Sequence, residues 1–224
     1  MPSGIKRLTV LGACLAVATA LATPAMAAEA GDWLVRARAI GVVPTSESDG
    51  ITPDLTTGKL QAQPAVVPEL DFTYMATENI GFELILATTE HDVKGRGSIA
   101  GLGKVADTWL LPPTLLVQWH FLPKSRFNPY IGAGINYTIT YGEDASQSLE
   151  SALGGPTKVS LDNSLGWAVQ AGMDIGIDDH WFVNVDVKYI DMSMDARIKS
   201  GGVTRKDDVD INPIIAGVGI GYRF

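Results

Sequence analysis

Acid–base or metal chemistry in this chain would have to begin at His91, His120 or His180, its only imidazoles. His91 falls in a segment rich in glycine and charge, and His180 in the short turn Asp178-Asp179-His180. Only His120 lies in a regular alternation, spaced to share a face with Gln118. A Ser-His-acid arrangement needs hydrogen-bond contact among its members, and no serine falls in a strand where His120 could reach it. There is no His-x-x-His, and the single cysteine, Cys14, lies in an N-terminal leader, so a metal centre lacks ligands. The expectation is a non-enzyme without cofactor or metal.

A second group of reactive side chains is less ordinary. Arg36, Arg38, Glu69, Asp71, Glu83, Asp174, Asp186, Lys188 and Arg223 each alternate with apolar residues in extended runs. If the apolar side faces outward, four basic and five acidic groups share an interior. An isolated buried charge costs several kcal/mol, so these groups must pair into a mutually satisfied plug. Above them, the inward positions change character: Ile40, Ile85, Leu116, Ile190, Ile211 and Ile215. An apolar chamber over a charged floor would admit an oily solute and stop it halfway. Ordinary filling of a small barrel is the competing reading.

The elements that hold these groups are read from a period of two. Eight alternating runs lie near 32–43, 66–76, 80–90, 108–121, 128–141, 164–177, 181–194 and 209–224. In the fifth, Ile131, Ala133, Ile135, Tyr137, Ile139 and Tyr141 share one face, and Tyr130, Gly132, Gly134, Asn136, Thr138 and Thr140 the other. The last run sets Ile214, Ala216, Val218, Ile220, Tyr222 and Phe224 against a face that is mostly glycine and closes on Arg223. An apolar band carried to the last residue would aggregate on a soluble sheet edge, whereas lipid accepts it and barrel closure removes the edge. The expected fold is therefore all-β, an eight-stranded antiparallel transmembrane barrel.

Connections agree with this. Thr77-Glu78-Asn79, the segment 123–127 and Asp178-Asp179-His180 are short, while 44–65, 91–107, 142–163 and 195–208 are long and rich in Gly, Ser, Asp and Lys. Short and long alternate strictly, as periplasmic turns and external loops do. Within the third long loop, Gln147 to Leu153 has the composition of a short helix capped by Ser146. The net charge of −8 argues against a nucleic-acid partner. No run after residue 30 approaches the roughly 20 apolar residues of a membrane-spanning helix.

Residues 1–27 read as a cleaved signal peptide, with Lys6 and Arg7 ahead of an apolar core and Ala25-Met26-Ala27 at the cut. Leu11-Gly12-Ala13-Cys14 resembles a lipoprotein box, but the apolar run continues past Cys14 to Leu21, which favours cleavage after Ala27. Residues 28–224 then form one barrel domain.

Several motifs also carry a family resemblance. Asn128-Pro129-Tyr130-Ile131-Gly132-Ala133-Gly134-Ile135-Asn136-Tyr137-Thr138 resembles the fifth strand of the OmpW family. Thr73-Tyr74-Met75-Ala76-Thr77-Glu78-Asn79-Ile80-Gly81-Phe82-Glu83-Leu84, Leu111-Pro112-Pro113-Thr114-Leu115 and Gly221-Tyr222-Arg223-Phe224 are similar to it too. The resemblance implies a bacterial outer-membrane barrel with a narrow apolar channel that helps small hydrophobic molecules across; the family includes the alkane-uptake protein AlkL. It also implies that Tyr222 and Phe224 are the signal read by the barrel-assembly machinery.

Apolar gating residues are a further implication. Ile85 stands where the family has leucine and points inward. Leu165 falls where the family more often has tryptophan, which here comes later as Trp167. Parity from Gln170 sends both outward, and only a bulge near Gly166 would bring either into the lumen. With the floor closed, a solute would leave sideways. Pro68, Pro112, Pro113 and Pro213 lack the backbone donors of a continuous ladder and mark positions for a lateral gap. Expected partners are outer-membrane lipid and small hydrophobic solutes, around a monomer. The alternative is a structural barrel whose external loops bind host, phage or toxin partners over an inert lumen.

Overall fold

The computed structural model describes residues 28–45 and 47–224; the expected signal peptide at 1–27 lies outside the described residues. Going along the chain, β1 (Trp33–Val43) is followed by the short β2 (Glu47–Ser48) and β3 (Gly58–Ala62), then by β4 (Ala65–Met75) and β5 (Ile80–Ala87). Next come β6 (Thr89–Gly97), β7 (Lys104–Leu111), β8 (Thr114–His120) and the long β9 (Phe127–Ala145). The helix α1 (Gln147–Leu153) precedes β10 (Thr157–Leu161), β11 (Ser164–Gly176) and β12 (Trp181–Ile190). Then β13 (Ser193–Ser200), β14 (Val203–Asp210) and β15 (Ile214–Arg223) complete the chain.

Eight of these strands close a barrel in the order β1, β4, β5, β8, β9, β11, β12, β15, each antiparallel to the next. The seam joins the first and last strands, from Leu34 opposite Arg223 to Val43 opposite Ile214. Closure satisfies the ladder groups that a lipid-facing sheet edge would leave bare. The alternation expected for a membrane barrel is present in full. Leu84, Leu115, Val117, Ile131, Ile135, Val185, Val187, Val218 and Ile220 are exposed on the outside, while Arg36, Asp71, Glu83, Gln118 and Asn184 are buried within. Aromatic residues mark both ends of the outer band. Trp33, Tyr74, Trp119, Trp181 and Tyr222 lie toward the short turns, and Tyr137, Tyr141, Trp167 and Tyr189 toward the long connections.

The long connections are not open loops. β6, β7 and the far end of β9 continue the barrel wall beyond the aromatic band, joined by β3, while β10, β13, β14 and β2 form a second sheet. Their inward residues, among them Leu60, Val105, Leu149, Val159 and Ile198, join the apolar cluster that begins with Ile40 and Ile85 in the barrel. The helix expected at Gln147–Leu153 forms, with the Ser146 hydroxyl accepting from the Leu149 amide at 3.2 Å. The apolar interior therefore extends from mid-barrel into the outer extension.

Candidate functional site: an apolar cavity above an ion-paired floor

The alternation places Arg36 and Arg38 of β1 inward, across the ladder from Asp71 and Glu69 of β4. Arg36 Nη1 lies 2.9 Å from Asp71, and its Nη2 2.8 Å from Asp174. Arg38 lies 2.8 Å from both Glu69 and Asp71. Lys188 Nζ is 2.7 Å from Glu69, and Asp186 sits 3.3 Å from both Lys188 and Arg38. Glu83 is 3.6 Å from each guanidinium. Eight of the nine expected floor residues thus meet in one buried network. At such separations in a low-dielectric interior, charges hold one another strongly, and removing one strands its partners.

Arg223 is the exception. Its side chain is near the short-turn rim, 3.9 Å from Asp32 and bonded to the Asp179 carbonyl, so it belongs to the end of the barrel and not to the floor. The parity was right, but the position lies too close to the chain end to reach the network.

Beneath the ion pairs, the lumen is filled. Arg36 packs over the rings of Tyr130 and Phe182, 5.4 Å from each centroid. Facing glycines make room: a Cβ at Gly221 would lie 2.2 Å from the Phe182 ring, and one at Gly172 2.5 Å from Tyr130. Ala28, Leu34 and Met75 close around Phe182 below. Gln118, Asn128 and His120 form a hydrogen-bonded group here, His120 lying 3.1 Å from Gln118 and 2.9 Å from Asn128. No serine bonds this histidine among the described residues.

Above the floor, the wall changes character. Ile40, Ile85, Ile190, Ile211 and Ile215 line a cavity of about 30 Å³, with Glu69 and Lys188 at its base and Thr89 and His91 beyond. Leu116 is buried but does not line it; it stands opposite Glu83, at floor height. Leu165 and Trp167 do not reach the lumen at all. They are 73% and 49% exposed on the outer surface, and the β9–β11 register runs unbroken through Gly166, so no bulge turns them inward.

The prolines differ from one another. The β5–β8 ladder ends at Ile85 opposite Thr114, and the β6–β7 ladder begins at Thr89 opposite Leu110. Between them, residues 86–88 and 111–113 are unpaired across that seam, where Pro112 and Pro113 supply no amide donor. Pro68 sits on the outer face near the same place, just beyond Glu69, where the β4–β5 ladder stops. Pro213 interrupts nothing comparable: the Ile190 amide reaches its carbonyl at 3.3 Å, and Met192 is held by Asn212 at 2.8 Å. Pro213 instead lines the cavity, beside Ile211 and Ile215.

The comparisons with known proteins agree with this architecture. The chain is 40% identical over 222 residues to outer membrane protein W of Escherichia coli K12, covering 98% of this chain and all of that one. It is similar to the crystal structure of the outer membrane protein OprG from Pseudomonas aeruginosa, with a TM-score of 0.83 and 32% identity over 89% of this chain and 99% of that one. Outer membrane protein AlkL of Ectopseudomonas oleovorans is 24% identical over 155 residues, 69% of this chain and 64% of its own. The OmpW family model matches residues 29–224, and the chain belongs to that family, as a barrel of the bacterial outer membrane.

Proposed function

We propose that this barrel assists small hydrophobic molecules across the outer membrane, taking them into the apolar cavity from outside and releasing them sideways into the membrane. The observation that carries this reading is the juxtaposition of three features. The cavity is apolar, its base is closed by buried ion pairs, and its wall includes Ala87, Thr89, Leu110, Pro112 and Thr114, which border the interrupted seam. A solute that cannot enter the charged layer without desolvating it has an apolar route only through the wall. At about 30 Å³ the cavity admits little more than a water-sized molecule at rest. Passage therefore requires side chains such as Ile85 and Leu110 to rotate aside. The family resemblance points the same way. Removal of residues 1–27 at Ala27 is part of the proposal, and the family match beginning at residue 29 supports it.

A cross-link over the seam tests the exit. Thr88→Cys and Leu111→Cys, bridged by a short thiol-reactive cross-linker in the folded protein, should abolish facilitated uptake while either single variant retains it. Undiminished uptake through the bridged barrel would contradict lateral release.

A further inference from the structure

The outer side of the cavity carries hydrogen-bonding groups that the protein does not use. His91, on the inward face of β6, is 3% exposed and lines the cavity. Its Nδ1 lies 3.0 Å from the carbonyl oxygen of Gln63. A carbonyl only accepts, so Nδ1 carries the proton and Nε2 is left as a bare acceptor. None of the described residues bonds Nε2.

Two threonines extend this group. Thr89, two residues earlier on the same face, lines the cavity with a hydroxyl that no described side chain or backbone group bonds. Thr108 is directly across the β6–β7 ladder from His91, and its buried hydroxyl also lacks a partner. Leu110 lines the cavity below them, and above it Thr108 itself lines a second, largely apolar space of about 20 Å³ with Val93, Val105 and Ala106. The three polar groups therefore stand between two apolar compartments. The Thr108 hydroxyl is enclosed without a partner, while Thr89 and His91 turn their unbonded atoms to the cavity, so the group points to a ligand that supplies the bonds.

Resting on the channel reading above, we infer that Thr89, His91 and Thr108 form a recognition point for a neutral hydroxyl head group. The preferred solutes are then amphiphiles, an apolar body carrying one hydroxyl, and not bare hydrocarbons. A hydroxyl can donate to His91 Nε2 and accept from a threonine while its apolar body lies among Ile85, Ile190 and Leu110. A hydrocarbon would displace any water there and return no bond, which weakens binding. The outward face of β6 at this level is Glu90, Asp92 and Lys94, so His91 lies beyond the lipid-facing band. Burial pushes its pKa below the ordinary histidine value, against the opposing bond to Gln63, which keeps Nε2 an acceptor at neutral pH.

The test compares 1-octanol with n-octane. Uptake is measured in cells carrying the full-length protein, normalised to folded barrel, with the rate in cells lacking it subtracted. Wild type should favour octanol. His91→Phe should lower the ratio of octanol to octane uptake about threefold to tenfold, the size expected for one lost hydrogen bond. Thr108→Val, nearly isosteric, gives the same direction if the His91 variant fails to fold. In the refolded protein, the imidazole ¹⁵N resonance of His91 Nε2 should shift on adding octanol and not octane. Equal uptake of the two compounds by wild type, unaltered by His91→Phe, would overturn the recognition point and leave the channel standing. Uptake of neither would overturn both.

Discussion

Lys188 Nζ holds both oxygens of Glu69, at 2.7 and 2.8 Å, where the ion-paired floor meets the apolar cavity. Glu69 is shared with Arg38, and Lys188 with Asp186, so this contact ties two sides of the barrel together at one height. Lys188→Met should destabilise the barrel by about 3–5 kcal/mol, because Glu69 and Asp186 lose a buried counter-charge. Adding Glu69→Gln should recover part of that loss. Urea unfolding of the four proteins in a double-mutant cycle checks this. Strictly additive effects would mean that the pair is not coupled.

Phe224 closes the outer band, its ring 4.7 Å from Tyr222 and its amide 2.9 Å from the Trp33 carbonyl at the seam. Phe224→Asp should leave most of the protein unfolded in the periplasm, since it removes an interfacial anchor and the terminal aromatic that the family resemblance implies is the assembly signal. Heat-modifiable electrophoresis of outer-membrane fractions checks it. Normal folding of the variant would remove the assembly role assigned to the terminal strand.

Most of the barrel was legible because lipid and lumen impose opposite chemistry on alternate residues. Arg36, Asp71, Glu83 and Asp174 betrayed the interior by being charged within apolar runs. Parity also placed Leu165 and Trp167 outward correctly, where the family motif suggested a gate. Height was harder to read. Alternation says which way a side chain points but not its level, because neighbouring strands are staggered; hence Leu116 stands beside Glu83 and Arg223 at the rim. The outer extension was hidden for another reason. In Thr89–Gly97, threonine and histidine face inward while Glu90 and Asp92 face water, so no apolar period marks the strand. His91 consequently read as a loop residue, although it lines the cavity.

In the outer extension, Asp195 stands directly across the β13–β14 ladder from Asp208. The hydrogen bond with Asp195, and then its charge, raise the pKa of Asp208 above the ordinary value, with Asp49 and Asp207 adding to the effect. The folded hairpin thus binds that proton more tightly than the open chain does. Its stabilisation is present below the raised pKa and is lost as pH climbs through it. Amide exchange in β13–β14 should slow as pH falls from neutral toward about 4, after correction for intrinsic rates. In Asp208→Asn this dependence should disappear; an unchanged dependence would assign it elsewhere.

Topology follows from the side of the barrel that carries the extension. Single cysteines at Ala100 and Ser151 should react with an impermeant thiol reagent on intact cells, and one at Lys124 should stay protected. Equal labelling at all three positions would contradict the assigned orientation.

The central claim is that apolar solutes pass through the cavity, and two adjacent positions test it most directly. Ile85 is buried in the cavity wall, whereas Leu84 is 39% exposed on the lipid face. Ile85→Asn places an amide without an assured partner in the lumen, costing about 1–3 kcal/mol, and replaces the contact surface a solute would use. Leu84→Asn puts the same amide against lipid. The measurement is uptake of 1-octanol by cells carrying each variant, normalised to folded protein in the outer membrane and corrected for cells without it. The account predicts that Ile85→Asn lowers uptake per folded barrel severalfold, while Leu84→Asn lowers the amount of folded barrel but not uptake per barrel. Unchanged uptake per barrel in Ile85→Asn, or no facilitated uptake by wild type, would contradict the channel.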